Sequence, residues 1–173
     1  MSTVAKSIAE IPREYQPYEH LFGYVSAPVT TSAPLNDPVK FDTIKGDQKL
    51  ITVTQGTNIT TFTLKKGHKY KCWADVIYYD SDPGAGIFDR DYSWYKTSDN
   101  TELGVRGVEG FSNHKFDYSS GAYCVVDASD ADIDIAIKVV DLIVSNVNSY
   151  IKGSKCMIEV ITDRSGPWNQ SKK

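Results

Sequence analysis

Four aspartates flank a Pro-Gly loop: Asp80 and Asp82 precede Pro83-Gly84, and Asp89 and Asp91 follow it. Two carboxylates can act as general acid and base on a glycosidic bond, but only at a defined separation across a cleft. Acids on a loop of this composition are expected to be solvated, so no catalytic residue is assigned. A second acidic run, Asp127, Asp130, Asp132 and Asp134, has the alternation by which carboxylate oxygens converge on calcium. Counted from Asp130, however, Ile135 stands where such a loop needs glycine and Asp141 where it needs glutamate. Ile133, Ile135, Ile137 and Val139 alternate with Asp132, Asp134, Ala136 and Lys138, which makes the same residues a turn followed by a strand with one wet face. No metal is expected.

His20, His68 and His114 are scattered, without metal-ligand spacing or a paired nucleophile. No phosphate-binding loop or nucleophile elbow occurs. The chain is therefore expected not to be an enzyme and to need no cofactor. Six rings, Tyr78, Tyr79, Phe88, Tyr92, Trp94 and Tyr95, surround the acidic loop. Apolar sugar faces stack on rings while neighbouring carboxylates take hydroxyl hydrogen bonds, which makes Tyr92, Trp94, Asp89 and Asp91 the candidate glycan-binding residues. Alternation puts Tyr92, Trp94 and Lys96 on one strand face and Tyr95 on the other. The competing assignment, core or subunit interface, is the preferred one for these rings.

The elements that must position these residues are β-strands. The chain has 173 residues, 40% of them hydrophobic, which suits one domain with a real core and some length to spare. Its 19 basic and 22 acidic residues give a formal charge of -3, and no long basic run is present, so nucleic acid is not an expected partner. No segment is long and apolar enough to span a bilayer, and the N-terminus shows no apolar core of a secretory signal. Cys72, Cys124 and Cys156 each sit in an apolar strand pattern without Cys-x-x-Cys spacing. They read as small buried hydrophobes of a protein assembled in a reducing compartment, with one disulfide left open.

Three regions are expected: residues 1–38 an N-terminal arm, 39–163 a sandwich domain, and 164–173 a tail. In the arm, Val4, Ile8 and Ile11 fall on one stripe of a short helix, and Tyr15, Tyr18 and Phe22 follow among prolines. Aromatics and prolines without periodicity make no core of their own, so the arm is expected to dock against something. From Val39 onward short alternating segments predict strands over 39–44, 49–54, 59–64, 68–79, 87–96, 121–127, 133–140 and 155–161. Strands within 97–120 are weakly marked, and 141–148 reads as a short helix or another strand. Phe62-Thr63-Leu64 and Tyr70-Lys71-Cys72 are joined at Lys65-Lys66-Gly67, which reads as a hairpin.

These pieces resemble, in order, the jelly-roll of the tumour necrosis factor and complement globular-head superfamily. Val39-Lys40-Phe41-Asp42 matches its opening strand, and Phe62, Gly67 and Tyr70 match its Phe-x-x-x-x-Gly-x-x-Tyr pattern. Ser154 to Ile161 is similar to its closing strand, shifted by one residue, and Gly121 to Val126 to the small-residue strand before the last hairpin. The resemblance covers residues 39 to 162. It implies an all-β antiparallel jelly-roll sandwich that packs as a homotrimer through aromatic faces. Tail-fibre tips, head fibres and capsid-decorating proteins of bacteriophages use this type of domain. On that basis the chain is expected to be a virion component that binds capsid or fibre proteins through Val4, Ile8, Ile11, Tyr15, Tyr18 and Phe22. The alternative is a receptor- or carbohydrate-binding module that touches a host-surface glycan.

Overall fold

The computed structural model describes residues 20–25, 29–30, 38–46, 48–80, 87–112, 115–143, 149–151 and 153–161. Ladders join antiparallel strands into two layers. One layer runs β3 (Thr43–Gly46), β1 (His20–Tyr24), β14 (Lys155–Ile161), β6 (Lys69–Asp75), β11 (Ala122–Asp127). The other runs β9 (Glu102–Ser112), β8 (Ile87–Lys96), β12 (Ile133–Ile143), β5 (Thr60–Leu64), β4 (Ile51–Gln55), with β10 (Lys115–Ser120) on β9. A small separate sheet is formed by β2 (Val29–Thr30), β13 (Ser149–Ile151) and β7 (Tyr78–Asp80). The architecture is the all-β antiparallel sandwich that the alternation predicted.

Period-2 alternation fills the space between the layers. Leu21, Tyr70, Cys72, Cys124 and Ile158 point inward from the first layer. Ile51, Phe62, Leu64, Tyr92, Trp94, Ile135 and Ile137 meet them from the second. Phe62 is central, with its ring 6.2 Å from Phe41 and 5.9 Å, edge-on, from Trp94. Strands with one apolar face need such an opposing layer, because burying that face is the main term holding them together.

The link expected to be a hairpin is instead a corner between layers. β5 pairs with β4 and β12, whereas β6 pairs with β14 and β11, so the Lys65–His68 turn carries the chain from one sheet to the other. Gly67 has φ +93°, a conformation that costs a Cβ-bearing residue about 1 kcal/mol or more. The Tyr70 hydroxyl closes the corner, lying 2.8 Å from the Lys65 carbonyl and 3.0 Å from that of Leu50. Phe62, Gly67 and Tyr70 thus supply the core ring, the turn and the latch of one crossing.

Two boundaries differ from expectation. β1 pairs with both β14 and β3, and Leu21 and Val25 are buried, so residues 20–25 belong to the sandwich and not to an arm ending at 38. Phe22, assigned to the anchor, is a residue of that strand. Val39–Asp42 is not a strand: Val39 donates to the Ile137 carbonyl and Phe41 to the Thr60 hydroxyl as the chain crosses to β3. Val4, Ile8, Ile11, Tyr15 and Tyr18 lie outside the described residues, as does the 164–173 tail. The 97–120 region, weakly marked in sequence, holds β9 and β10, and β12 continues as a strand through Ile143.

β9 links the two layers. β8 passes from Trp94, opposite Leu103, to Tyr92, opposite Gly107, using only Ser93, while β9 spends Gly104, Val105 and Arg106 on the same interval. This bulge bends β9 around the corner, and there Val105 pairs with Tyr123 of β11, the single ladder pair described between the layers.

Candidate assembly face

The outward face of the β3-β1-β14-β6-β11 layer carries the feature most suited to recognition. The register aligns Phe22 with Met157, Met157 with Trp73, Trp73 with Tyr123, and Tyr123 with Val105. Five apolar side chains therefore cross the layer in one continuous row at right angles to its strands. Trp73 and Met157 are half-buried, while Tyr123, Phe22 and Val105 are 38%, 42% and 65% exposed. Val125 (53%) and Ile161 (37%) widen the patch along β11 and β14. Single exposed apolar residues need no explanation, whereas a contiguous row rimmed by charge is a candidate interaction surface.

Charged pairs rim the row on both sides. Lys155 lies 3.6 Å from Asp75 and 5.6 Å from the Trp73 ring centroid. Lys45 stands 5.5 Å from the Tyr24 ring. On the other side Lys71 lies 3.7 Å from Glu159, and Lys69 lies 3.2 Å from Asp127. Gly121 is required beneath the row, since a Cβ there would come within 2.4 Å of the Trp73 indole nitrogen and 2.9 Å of the Ala74 carbonyl.

The candidate glycan platform is not at the surface. Tyr92 and Trp94 are 0% exposed, and the Tyr92 hydroxyl donates to the Ser120 carbonyl at 2.8 Å. These rings fill the interior, where no sugar can stack on them. Asp91 lies on the opposite strand face, 3.5 Å from Arg106. Arg106 in turn holds Glu102 in a bidentate pair, at 2.6 and 2.9 Å, and this pairing draws the Glu102 carboxyl below its usual range. The Asp89 backbone pairs with Gly110 and Ile143. Tyr92 and Trp94 are thus in the core and Asp91 on the outer face, so these three make no common site.

Two carboxylates of the acidic run are held by lysine, serine and backbone donors. Asp132 accepts from the Lys66 amide at 2.8 Å and from Lys65 Nζ at 2.9 Å, and Asp127 accepts from the Ser129 amide and hydroxyl. Both carboxyls are held below the ordinary range, by the Lys66 amide first for Asp132 and by Ser129 first for Asp127. On the outer face of the second layer, Lys138 is almost fully buried, donates to Asn100 Oδ1 at 2.6 Å and lies 4.7 Å from the Tyr95 ring. Burial raises the Tyr95 hydroxyl pKa.

The apolar row is not evident in the sequence. Its signal was present: Trp73 alternates with Lys69 and Lys71, so an indole shares the wet face of β6 with lysines. What sequence could not supply was the register that joins Trp73 to three other strands.

No family model matches the chain, and no curated protein matches it in sequence. Solved structures do match in shape. The globular domain of zebrafish complement 1qA superposes with a TM-score of 0.53 at 13% identity, covering 85% of this chain and 99% of that one. The Eiger TNF structure from S. frugiperda gives 0.51 at 11% identity, covering 88% and 98%. Murine APRIL gives 0.47 at 11% identity, covering 84% and 100%. The fold is the TNF and complement-head jelly-roll. At these identities the likeness concerns the fold.

Proposed function

We propose that this chain is a non-enzymatic structural protein that assembles as a homotrimer through the outer face of the β3-β1-β14-β6-β11 layer. In this reading it is a bacteriophage virion component, a capsid-decoration or head-fibre protein assembled in the host cytoplasm. Residues 1–19, with Val4, Ile8, Ile11, Tyr15 and Tyr18, attach it to capsid or fibre proteins. The observation that carries the assembly reading is the in-register row Phe22–Met157–Trp73–Tyr123–Val105. Aromatic and Met side chains with charge confined to the rim are the composition of an interface core. Three inward-facing thiols with no disulfide support assembly in a reducing compartment.

Mass in solution by light scattering tests the assembly. The expected result is three chains per particle, falling to one in Trp73→Asp, whose new charge is desolvated far more in the assembled form than in the single chain. A wild-type monomer at all concentrations overturns the reading, and a monomer that binds a glycan array would replace it with the receptor-binding alternative. Deletion of residues 2–19 tests the anchor and spares His20, where β1 starts. Loss of particle binding with trimers intact is expected, and unchanged incorporation refutes the virion assignment.

A further inference from the structure

Cys72 and Cys124 are directly opposite each other in the β6–β11 ladder, both inward-facing and buried. Cys156 also points inward and neighbours Cys72, but its direct cross-strand partners are Ala74 and Gly23, so it stands diagonal to Cys72 and not opposite it. Directly opposed residues of an antiparallel pair have Cα atoms about 4.5–5.5 Å apart, which lies within the span of a disulfide. We propose that Cys72 and Cys124 form a specific redox site, a dithiol that converts to a disulfide clamping β6 to β11, and that Cys156 is excluded from it.

The chemistry needs an external oxidant, a low-molecular-weight disulfide such as oxidised glutathione. One protein thiol gives up its proton, and the thiolate attacks a sulfur of the oxidant, breaking its S–S bond and releasing one small thiol. The second protein thiol then loses its proton, attacks the protein-side sulfur of the mixed disulfide and expels the other small thiol. Two electrons and two protons pass from the protein to the oxidant, and one protein S–S bond is formed.

Access is the controlling step. Burial, together with the neighbouring thiol, pushes the Cys72 pKa well up, so the closed strand pair holds little thiolate. β11 is held along its whole length by β6, but toward β9 the described ladder is the Tyr123–Val105 pair. Displacement of β11 at that side exposes Cys124, the residue next to Tyr123, and then Cys72 behind it. The site therefore stays reduced while the strands are closed and equilibrates with the surroundings when they open.

The test refolds the full chain from denaturant in a mixture of oxidised and reduced glutathione, so that opening cannot limit the outcome. Intact mass is then measured, and peptides are mapped after alkylation. Expected are a loss of two hydrogens, a single bridge between the Cys72 and Cys124 peptides, and an alkylated Cys156. The oxidised form should melt up to roughly 10 °C higher, since the bridge closes a long loop, and dithiothreitol should reverse the gain. A Cys156→Ala chain should oxidise like wild type, and Cys124→Ala should not lose the two hydrogens. A bridge to Cys156, a persistent glutathione adduct in place of the bridge, or three alkylatable thiols after refolding would each overturn the proposal.

Discussion

Gly104 and Gly67 both have positive φ, +73° and +93°, but their surroundings are opposite. A Cβ at Gly67 meets nothing within 4 Å, whereas at Gly104 it would lie 2.1 Å from the Tyr123 carbonyl oxygen and 2.5 Å from Cys124 Cβ. Gly67→Ala therefore carries the conformational cost alone, about 1 kcal/mol. Gly104→Ala carries the same cost plus displacement of a rigid backbone, about 2 kcal/mol more by comparison with overpacked cores. For a chain of this size those values correspond to falls in thermal midpoint of roughly 3 °C and roughly 10 °C. The two variants should be melted at one protein concentration, because assembly makes the midpoint concentration-dependent. Equal shifts would refute the close approach of β9 to β11, and with it the bulge that joins the layers.

Three further outcomes follow from the same geometry. Trp94→Phe should cost only about 1 kcal/mol, because among the described residues the buried indole N–H has no hydrogen-bond partner to lose, while Trp94→Ala should cost about 4 kcal/mol in chemical denaturation. Lys138→Ala should destabilise by about 2 kcal/mol, measured the same way, since it removes the bond to Asn100, the contact with the Tyr95 ring and a buried stem. Asp127 and Asp132 have folded pKa values below their ordinary ones, so their contribution is present above about pH 4 and lost as pH falls through the lowered values. The thermal midpoint should thus fall below about pH 4, Asp132→Asn should flatten part of that fall, and an unchanged acid limb in this variant would contradict the Lys65–Lys66 clamp.

Strand positions were legible wherever one face is apolar and the other wet. Ile133 to Val139 and Ala122 to Asp127 announce themselves by alternation, and both are strands; β11 has the two faces expected, whereas the outer face of β12 is covered at Ala136 and Lys138, which are buried. β1 was missed because His20-Leu21-Phe22-Gly23-Tyr24 does not alternate in type: Phe22 faces outward and Gly23 inward. Gly23 is small because Cys156 Sγ would lie 2.9 Å from a Cβ there, a constraint imposed by a strand more than a hundred residues away. Pairing partners are equally invisible, and the Gly67 turn reads as a hairpin because local sequence does not say which layer the next strand joins. The same gap hid the apolar row, whose members come from β1, β6, β9, β11 and β14. The rings of Tyr92 and Trp94 were correctly assigned to one face. That this face points inward follows from the second layer's position over it.

The lone ladder pair between Val105 and Tyr123 has a mechanical meaning. A sheet that closes fully on itself is a hoop, whose circumference cannot change unless a whole run of hydrogen bonds breaks. Here the described fastening of the hoop on the β9 side is one clasp, supplied by a strand that already carries surplus length in its bulge. Slack and clasp lie at the same point, where Gly104 and Gly107 bring β9 so close to β11 that an added side chain would have to move one layer against the other.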